Sequence, residues 1–484
     1  MTPTLDRRAF LAAGFAAAAA AIVTPEMALA GAAPPAWLLG VGDVEADLPE
    51  QAMRLVHGRA PAGFAGRLYR NGPAKFRRGG SAAGHWFDGD GLVRKFEVQG
   101  GRARLTARFV DTPKRRLEAR LGAMVQPGFG TPPGPGARIA NTEDVNAANT
   151  GVMMAGGELL ALWEGGSPAR LDPASLETRG FRTFRPDLRY MPFQAHPRDE
   201  PGGAVWNMGL SGAQAIAWKL NGDGSLARAD VIELPRRSYF HDFTATARHL
   251  VIVLQPWINE SFRLPLATGM LWRPELGTQV LVLDKDDLSR RRIFELPSFA
   301  FFHLGDAWEE SDGTIRFDGA FEADPSFGQR AAAALLRGEH HRMPHPILTQ
   351  VVLRPDGRAE LLPAGVAAEF PSSDRRFSGL ARRYTNHVTH YRDTPFPHAI
   401  ARWDWQSGRE TLFDFGDHQL VEEFLFAPRG GGEGNGWLIG TTLNLARNAT
   451  ELHLLDAERL AAGPVASWRA ALPLPLTFHG TFAA

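Results

Sequence analysis

The chain has no cysteine among its 484 residues. That absence excludes disulfides, thiolate zinc sites, iron–sulfur clusters and a cysteine nucleophile. An excess of either charge is missing too: 53 Lys and Arg balance 53 Asp and Glu. A nucleic-acid partner would call for surplus bases to displace phosphate counterions, so none is expected. Long helical patterns are nearly absent, the clearest being FGQRAAAALLRGEHH at 327–341. With 44% hydrophobic and 22% charged residues the chain is too apolar for disorder, and a sizeable core is expected. Any metal must therefore be held by His, Asp, Glu or backbone oxygen, and 15 His are present.

The N-terminal stretch places Arg7 and Arg8 before Phe10 and Leu11, continues as an Ala-rich run to Val23, and supplies small residues at Ala28-Leu29-Ala30. This is the layout of a twin-arginine-type secretory signal. A membrane anchor is the alternative, but the apolar run from Phe10 to Val23 is 14 residues long, short of the ~20 that cross a bilayer. Residues 1–30 are read as a cleaved signal peptide directing the protein to the periplasm, and 31–484 as one domain.

The remainder is a succession of short apolar runs broken by turn residues. Examples are LVRKFEV (92–98), ELLALWEG (158–165), AVWNMGL (204–210), HLVIVLQP (249–256), TQVLVLDKDD (278–287) and GWLIGTTLN (436–444). Their length and their Val, Leu, Ile and Trp content predict strands, and RLDPASLET, KLNGDGSL and LRPDGR predict the turns between them. An all-β chain of this length without a linker either splits into stacked sandwiches or repeats radially as a β-propeller, which protects strand edges.

Four His share a local setting: His196 in FQAHPRDE, His241 in YFHDFTAT, His303 in FFHLGDAWEE and His479 in LTFHGTFAA. They lie 45, 62 and 176 residues apart, unlike ligands borne on one helix. Pattern alone does not choose them over ordinary core histidines. Resemblance does. GFAGRLYRNGPAKFRRGGSAAGHWFDGDGLVRKFEV (63–98) resembles the opening signature of the carotenoid cleavage oxygenase family, which includes the retinal pigment epithelium isomerase and the lignostilbene dioxygenases. The likeness continues through ANTGVMMAGGELLALWEGG, AHPRDE, FHDFTAT, FFHLGDAWEE, EFP (369–371), EEFLFAPR and FHGTF, over roughly residues 45 to 484.

The resemblance implies a seven-bladed β-propeller, with a few short helices and loops capping the active-site face, and one Fe(II) per chain on its axis. By motif, His196, His241, His303 and His479 fall on the iron ligands, and Glu164, Glu369 and Glu423 on the carboxylates behind them. Neutral imidazoles suit Fe(II) and leave two octahedral positions open, and metal-bound imidazoles donate their second N–H to carboxylates. Glu422 competes with Glu423, since strand alternation turns only one of two neighbours inward. Thr150 aligns with a position beside the open iron site, or is a Thr satisfying a local turn.

The implied activity is O₂-dependent cleavage of a conjugated C=C bond of a carotenoid or apocarotenoid into two carbonyl products. A stilbenoid cleavage enzyme and a non-cleaving isomerase on the same iron are the alternatives. GAMVQPGFG (122–130) and RYMPF (189–193) would serve an apolar substrate, whereas the phenol-anchoring Tyr of the lignostilbene type is replaced by Phe109 in RFVDTPKRR. The segment 109–130 is read either as dipping into a membrane surface or as an ordinary lid. Oligomeric state is not legible. HWFDGDG (85–91) lacks the full calcium-loop pattern and is read as a structural turn. His340, His341 and His345 are placed in an exposed loop over the propeller face, with adventitious metal binding as the alternative, and His387, His390 and His398 carry no defensible ligand spacing. Ser211 lacks the second Gly of a nucleophile elbow, and GGGEGNG (430–436) reads as a hairpin loop rather than a phosphate cradle.

Overall fold

The structure, a computed structural model, describes residues 34–484. The signal-type segment at 1–30 lies outside the described residues. Strands dominate: the six sampled apolar runs fall in Gly91–Gln99, Glu158–Leu162, Val205–Ser211, His249–Leu254, Thr278–Asp284 and Gly436–Asn444. The expected hairpins follow from their turn residues. Between Gln214–Leu220 and Leu226–Glu233, Asp223 accepts from the Ser225 N–H at 2.9 Å while Gly224 takes φ +78, a conformation that favours glycine. The predicted helix is shorter than its sequence pattern, running from Phe327 to Leu335 as a π turn followed by an α turn.

Five four-stranded antiparallel sheets follow one another along the chain, each strand pairing with its sequence neighbour in the sheet. Their first strands are Gly151–Ala155, Arg198–Asp199, Thr244–Ala245, Ala300–Glu309 and Glu369–Ser372. Contacts run from Thr244–Ala245 to Ala300–Glu309, to Glu369–Ser372, to Gln419–Pro428, to His479–Ala483 and on to Gly151–Ala155. This is the all-β, propeller-like arrangement expected, with first strands gathered around a common axis.

Seven separate sheets are not what the pairing gives. Apart from two short ribbons, Arg77–Arg78 with Ser81–Ala82 and Trp257–Asn259 with Met270–Trp272, the remaining strands form one nine-stranded sheet. Its junction is the strand Leu48–Gly58, where Leu48, Gln51, Ala52 and Met53 pair with Arg102–Phe109 and Arg54, Leu55, His57 and Gly58 pair with Pro464–Arg469. One long strand thus serves two sheets. The last strand, His479–Ala483, pairs with Gly66–Pro73 and places His479 opposite Asn71, joining the two ends of the described chain. Apolar layers fill the spaces between sheets, with Trp206, Trp218, Trp257 and Trp468 wholly buried. Burial of each large apolar side chain there is worth about 1.5–3 kcal/mol.

Candidate metal centre

Each of the four predicted His stands on or just before the first strand of a sheet or, for His479, on the last strand of the chain. His196 precedes Arg198–Asp199, His241 precedes Thr244–Ala245, His303 lies within Ala300–Glu309 and His479 opens His479–Ala483. The pairing of Ala300–Glu309 shifts register between Phe301 and Leu304 and again before Ala307; such bulges re-aim side chains at barrel rims and active sites. The His479 backbone N–H is donated to the Thr150 carbonyl at 3.2 Å.

The four rings converge. Nε2 of His196 lies 2.8 Å from Nε2 of His241, and Nε2 of His303 lies 3.1 Å from Nε2 of His479. All four ligand atoms fall within 4.8 Å of one another. Imidazoles bonded at about 2.1 Å on perpendicular positions of one ion sit ~3 Å apart, so the spacing fits a single shared metal and these residues could hold one.

Behind three of the rings stand the three predicted carboxylates. His303 Nδ1 meets Glu369 Oε2 at 2.5 Å, His479 Nδ1 meets Glu423 Oε1 at 3.3 Å, and His241 Nδ1 contacts Glu164. A proton on each Nδ1 leaves the Nε2 lone pair pointing at the centre. Among the described residues no Glu stands behind His196: its nearest carboxylate is Asp242 at 4.0 Å, which also accepts from Arg198 and from the Leu304 N–H. Burial, with His479, His241 and His303 adding to it, holds His196 well below the usual imidazole value. Burial also lowers His479, to about 4, against the pull of Glu423. Burial opposes protonation of His303 as well, but Glu369 outweighs it and the net shift is upward.

Glu422 and Glu423 are both buried, which corrects the expectation from alternation. Register shifts between Val421 and Phe424, so the two neighbours find separate partners. Glu422 accepts the Thr477 N–H at 2.8 Å, while Glu423 takes Arg70 at 2.5 Å, the Gly480 N–H at 3.0 Å and His479. Burial resists ionisation of Glu423, yet His479 and Arg70 hold its carboxyl down at about 2.

A cavity of about 390 Å³ opens onto His241, His303 and His479. Trp86, Phe87, Phe129, Met270, Phe302 and Phe327 give it an apolar wall. Thr150 lines it too, its hydroxyl bonded to Asn149 Oδ1 at 3.1 Å. A second cavity of about 120 Å³ reaches His196, His303 and His479 among Arg198, Asp306 and Arg375.

Several other expectations change. Of the two stretches proposed to serve the substrate, Pro127, Gly128, Phe129 and Pro192 line the main cavity, while Met124, Met191 and Phe193 are buried in the core. Phe109 is buried under the Arg115 guanidinium and does not line the cavity. In HWFDGDG the turn reading holds for the carboxylates. Asp88 accepts the N–H groups of Phe129, Gly130 and Thr131 at 2.6–2.9 Å, and Asp90 pairs with Lys114 and Arg78. The same motif nevertheless supplies Trp86 and Phe87 to the cavity, a contribution the sequence reading missed. It missed Arg70 and Tyr239 as well; the Tyr239 hydroxyl donates to Glu164 at 3.0 Å. Arg70 lay inside the quoted signature, and Tyr239 two residues before His241. His340, His341 and His345 line the cavity, whereas His387, His390 and His398 are taken by Glu410, Asp414 and Thr394.

Comparison with known proteins agrees over nearly the whole chain. The family described as retinal pigment epithelial membrane protein matches residues 42–484. The apocarotenoid-15,15'-oxygenase of Synechocystis is 30% identical over 88% of this chain and 92% of its own. The lignostilbene-alpha,beta-dioxygenase isozyme III of Sphingomonas paucimobilis is 26% identical over 88% and 93%. Among solved structures, a cobalt-substituted Synechocystis apocarotenoid oxygenase superposes with a TM-score of 0.81 at 26% identity, covering 93% of this chain and 98% of that one.

Proposed function

Because the chain belongs to the retinal pigment epithelial membrane protein family, we propose that it is a dioxygenase cleaving a conjugated C=C bond of a carotenoid or apocarotenoid, with O₂, to two carbonyl products. The observation that carries this reading is the opening of an apolar cavity directly onto three of four converged imidazoles. Relatives named as apocarotenoid oxygenase and carotenoid 9,10(9',10')-cleavage dioxygenase support it.

The metal read here is one Fe(II) per chain, held by His196, His241, His303 and His479, a neutral donor set that suits ferrous iron. When bound, that iron supplies the binding and activation of dioxygen. The chain's own residues do the rest. Glu164, Glu369 and Glu423 keep three Nδ1 protons in place and the Nε2 lone pairs inward. The apolar wall from Trp86 to Phe327 excludes water and holds the polyene so that one double bond lies over the open side of the site. Thr150 sits on that wall beside His479. No general acid or base is assigned to the first step.

The nine-stranded sheet is read as two blades sharing the strand Leu48–Gly58, which brings the ring to seven. The segment 109–130 is read as a lid: Met124 and Val125 turn inward, Phe129 faces the cavity, and Leu121 is its one exposed large hydrophobic. Export to the periplasm rests on the sequence of residues 1–30, and N-terminal sequencing of the protein recovered from that compartment tests it.

Function is tested by incubating iron-loaded protein under O₂ with β-carotene, an apocarotenal and a hydroxylated stilbene, with products identified by mass. Aldehyde fragments from a polyene support the proposal. Cleavage of the stilbene alone shifts the assignment to the stilbenoid alternative, isomers without fragments shift it to an isomerase, and no turnover overturns it.

A further inference from the structure

Beside Glu369, one wall of the main cavity carries two polar side chains that the metal centre does not use, Glu322 and Tyr391. Glu322 ends the strand Ile315–Glu322 and pairs with Ala300, three residues before His303. Tyr391 ends the strand Tyr384–Tyr391, in which Val388 pairs with Glu369. Between these two strand ends runs the 343–346 segment, where His345 stacks on the Tyr391 ring at 4.1 Å and the Pro346 carbonyl accepts the Ala368 N–H at 2.9 Å. Three stretches of chain thus bring Glu322 and Tyr391 to the same side of the cavity, and both line it.

Neither group has a role in the centre described above. Glu369 is engaged by His303 and by the Phe370 N–H. The Glu322 carboxyl and the Tyr391 hydroxyl have no hydrogen-bond partner among the described residues. A purely hydrocarbon ligand would leave both stranded, whereas binding cavities commonly use a few polar groups in an apolar lining to fix orientation.

We propose that Glu322 and Tyr391 form a subsite for an uncharged oxygen of the substrate, a hydroxyl or carbonyl carried on its apolar skeleton. This rests on the reading above that the main cavity holds the substrate. Electrostatics point the same way: burial, then the neighbouring Glu369 and Asp324 carboxylates, push the Glu322 carboxyl well above its usual range. A neutral carboxyl both donates and accepts, so it serves a hydroxyl or a carbonyl equally. Burial, then Glu369 and Glu322, likewise keep the Tyr391 phenol protonated and able to donate.

The test measures binding to iron-loaded protein without oxygen, where no turnover intervenes, by quenching of tryptophan fluorescence. The probes are retinol against its deoxy hydrocarbon, 4-hydroxystilbene against stilbene, and retinylamine. The wild type is expected to bind each oxygen-bearing probe about tenfold more tightly than its hydrocarbon, the worth of one good hydrogen bond. That ratio is expected to fall toward one in Glu322→Leu and in Tyr391→Phe, the second variant serving if the first does not fold. A wild-type ratio near one, a ratio unchanged in either folded variant, or tighter binding of the amine than of the alcohol overturns the proposal. Adding O₂ to the same mixtures separates the two claims: absence of carbonyl fragments counts against cleavage, while the binding ratios still decide the subsite.

Discussion

Glu369 Oε2 lies 2.5 Å from His303 Nδ1, and the same oxygen accepts the Phe370 N–H at 2.8 Å. The neighbouring Phe370 ring stacks on the imidazole at 4.8 Å. His303 is therefore clamped from two sides, by a charge that fixes its tautomer and by a ring that fixes its plane. Glu369→Gln keeps the volume and removes the charge. Metal affinity is expected to fall about 10- to 100-fold, the usual cost of losing such a partner. Titration of metal-free protein with Co(II), followed by its visible absorption, checks this, and an affinity equal to wild type would contradict it.

Arg70 is fully buried and holds the Glu423 side of the site together. It donates to Glu423 at 2.5 Å, to the Thr477 hydroxyl at 3.0 Å and to the Phe478 carbonyl at 3.1 Å, with Glu422 at 3.8 Å. Arg70→Met removes the cation bonded to Glu423 and lying beside Glu422, leaving these buried carboxylates only the more distant Arg94 and Arg375. A loss of about 3–5 kcal/mol is expected, as for other buried pairs broken on one side. Urea denaturation of the two proteins measures it.

The site's ligands and carboxylates were legible because the resemblance rested on local motifs that carried them one by one. Their convergence was not, since it depends on strands far apart in sequence meeting around one axis. A motif does not show what each neighbour does: Arg70 lies within the 63–98 signature, and Trp86 and Phe87 lie in the HWFDGDG turn, whose aspartates alone have an evident structural task. The strand Leu48–Gly58 was invisible as a junction, because a strand shared by two sheets has the same alternation as any other. Glu422 defeated the alternation rule because a register shift lies beside it.

Stability should also depend on pH through His453, away from the metal centre. Its ring nitrogens are bonded to Thr442 at 2.9 Å and Ser467 at 2.8 Å, and burial, only partly offset by Glu451, lowers its pKa from 6.5 to about 4. The unfolded chain then binds more protons than the folded one between those values. Stability is full above pH 6.5 and is lost as pH falls toward 4, by about 3 kcal/mol from this residue. Denaturant midpoints at pH 7 and pH 4.5 are expected to differ less in His453→Gln than in wild type; an equal difference would contradict the assignment.

The proposed function requires that His196, His241, His303 and His479 together hold one iron. Anaerobic titration of metal-free protein with Fe(II) tests it most directly, with bound iron counted after removal of the excess. One iron per chain is predicted for wild type and far less than one for His303→Ala; a folded His303→Ala that still binds a full equivalent, or a wild type that binds none, would contradict the account.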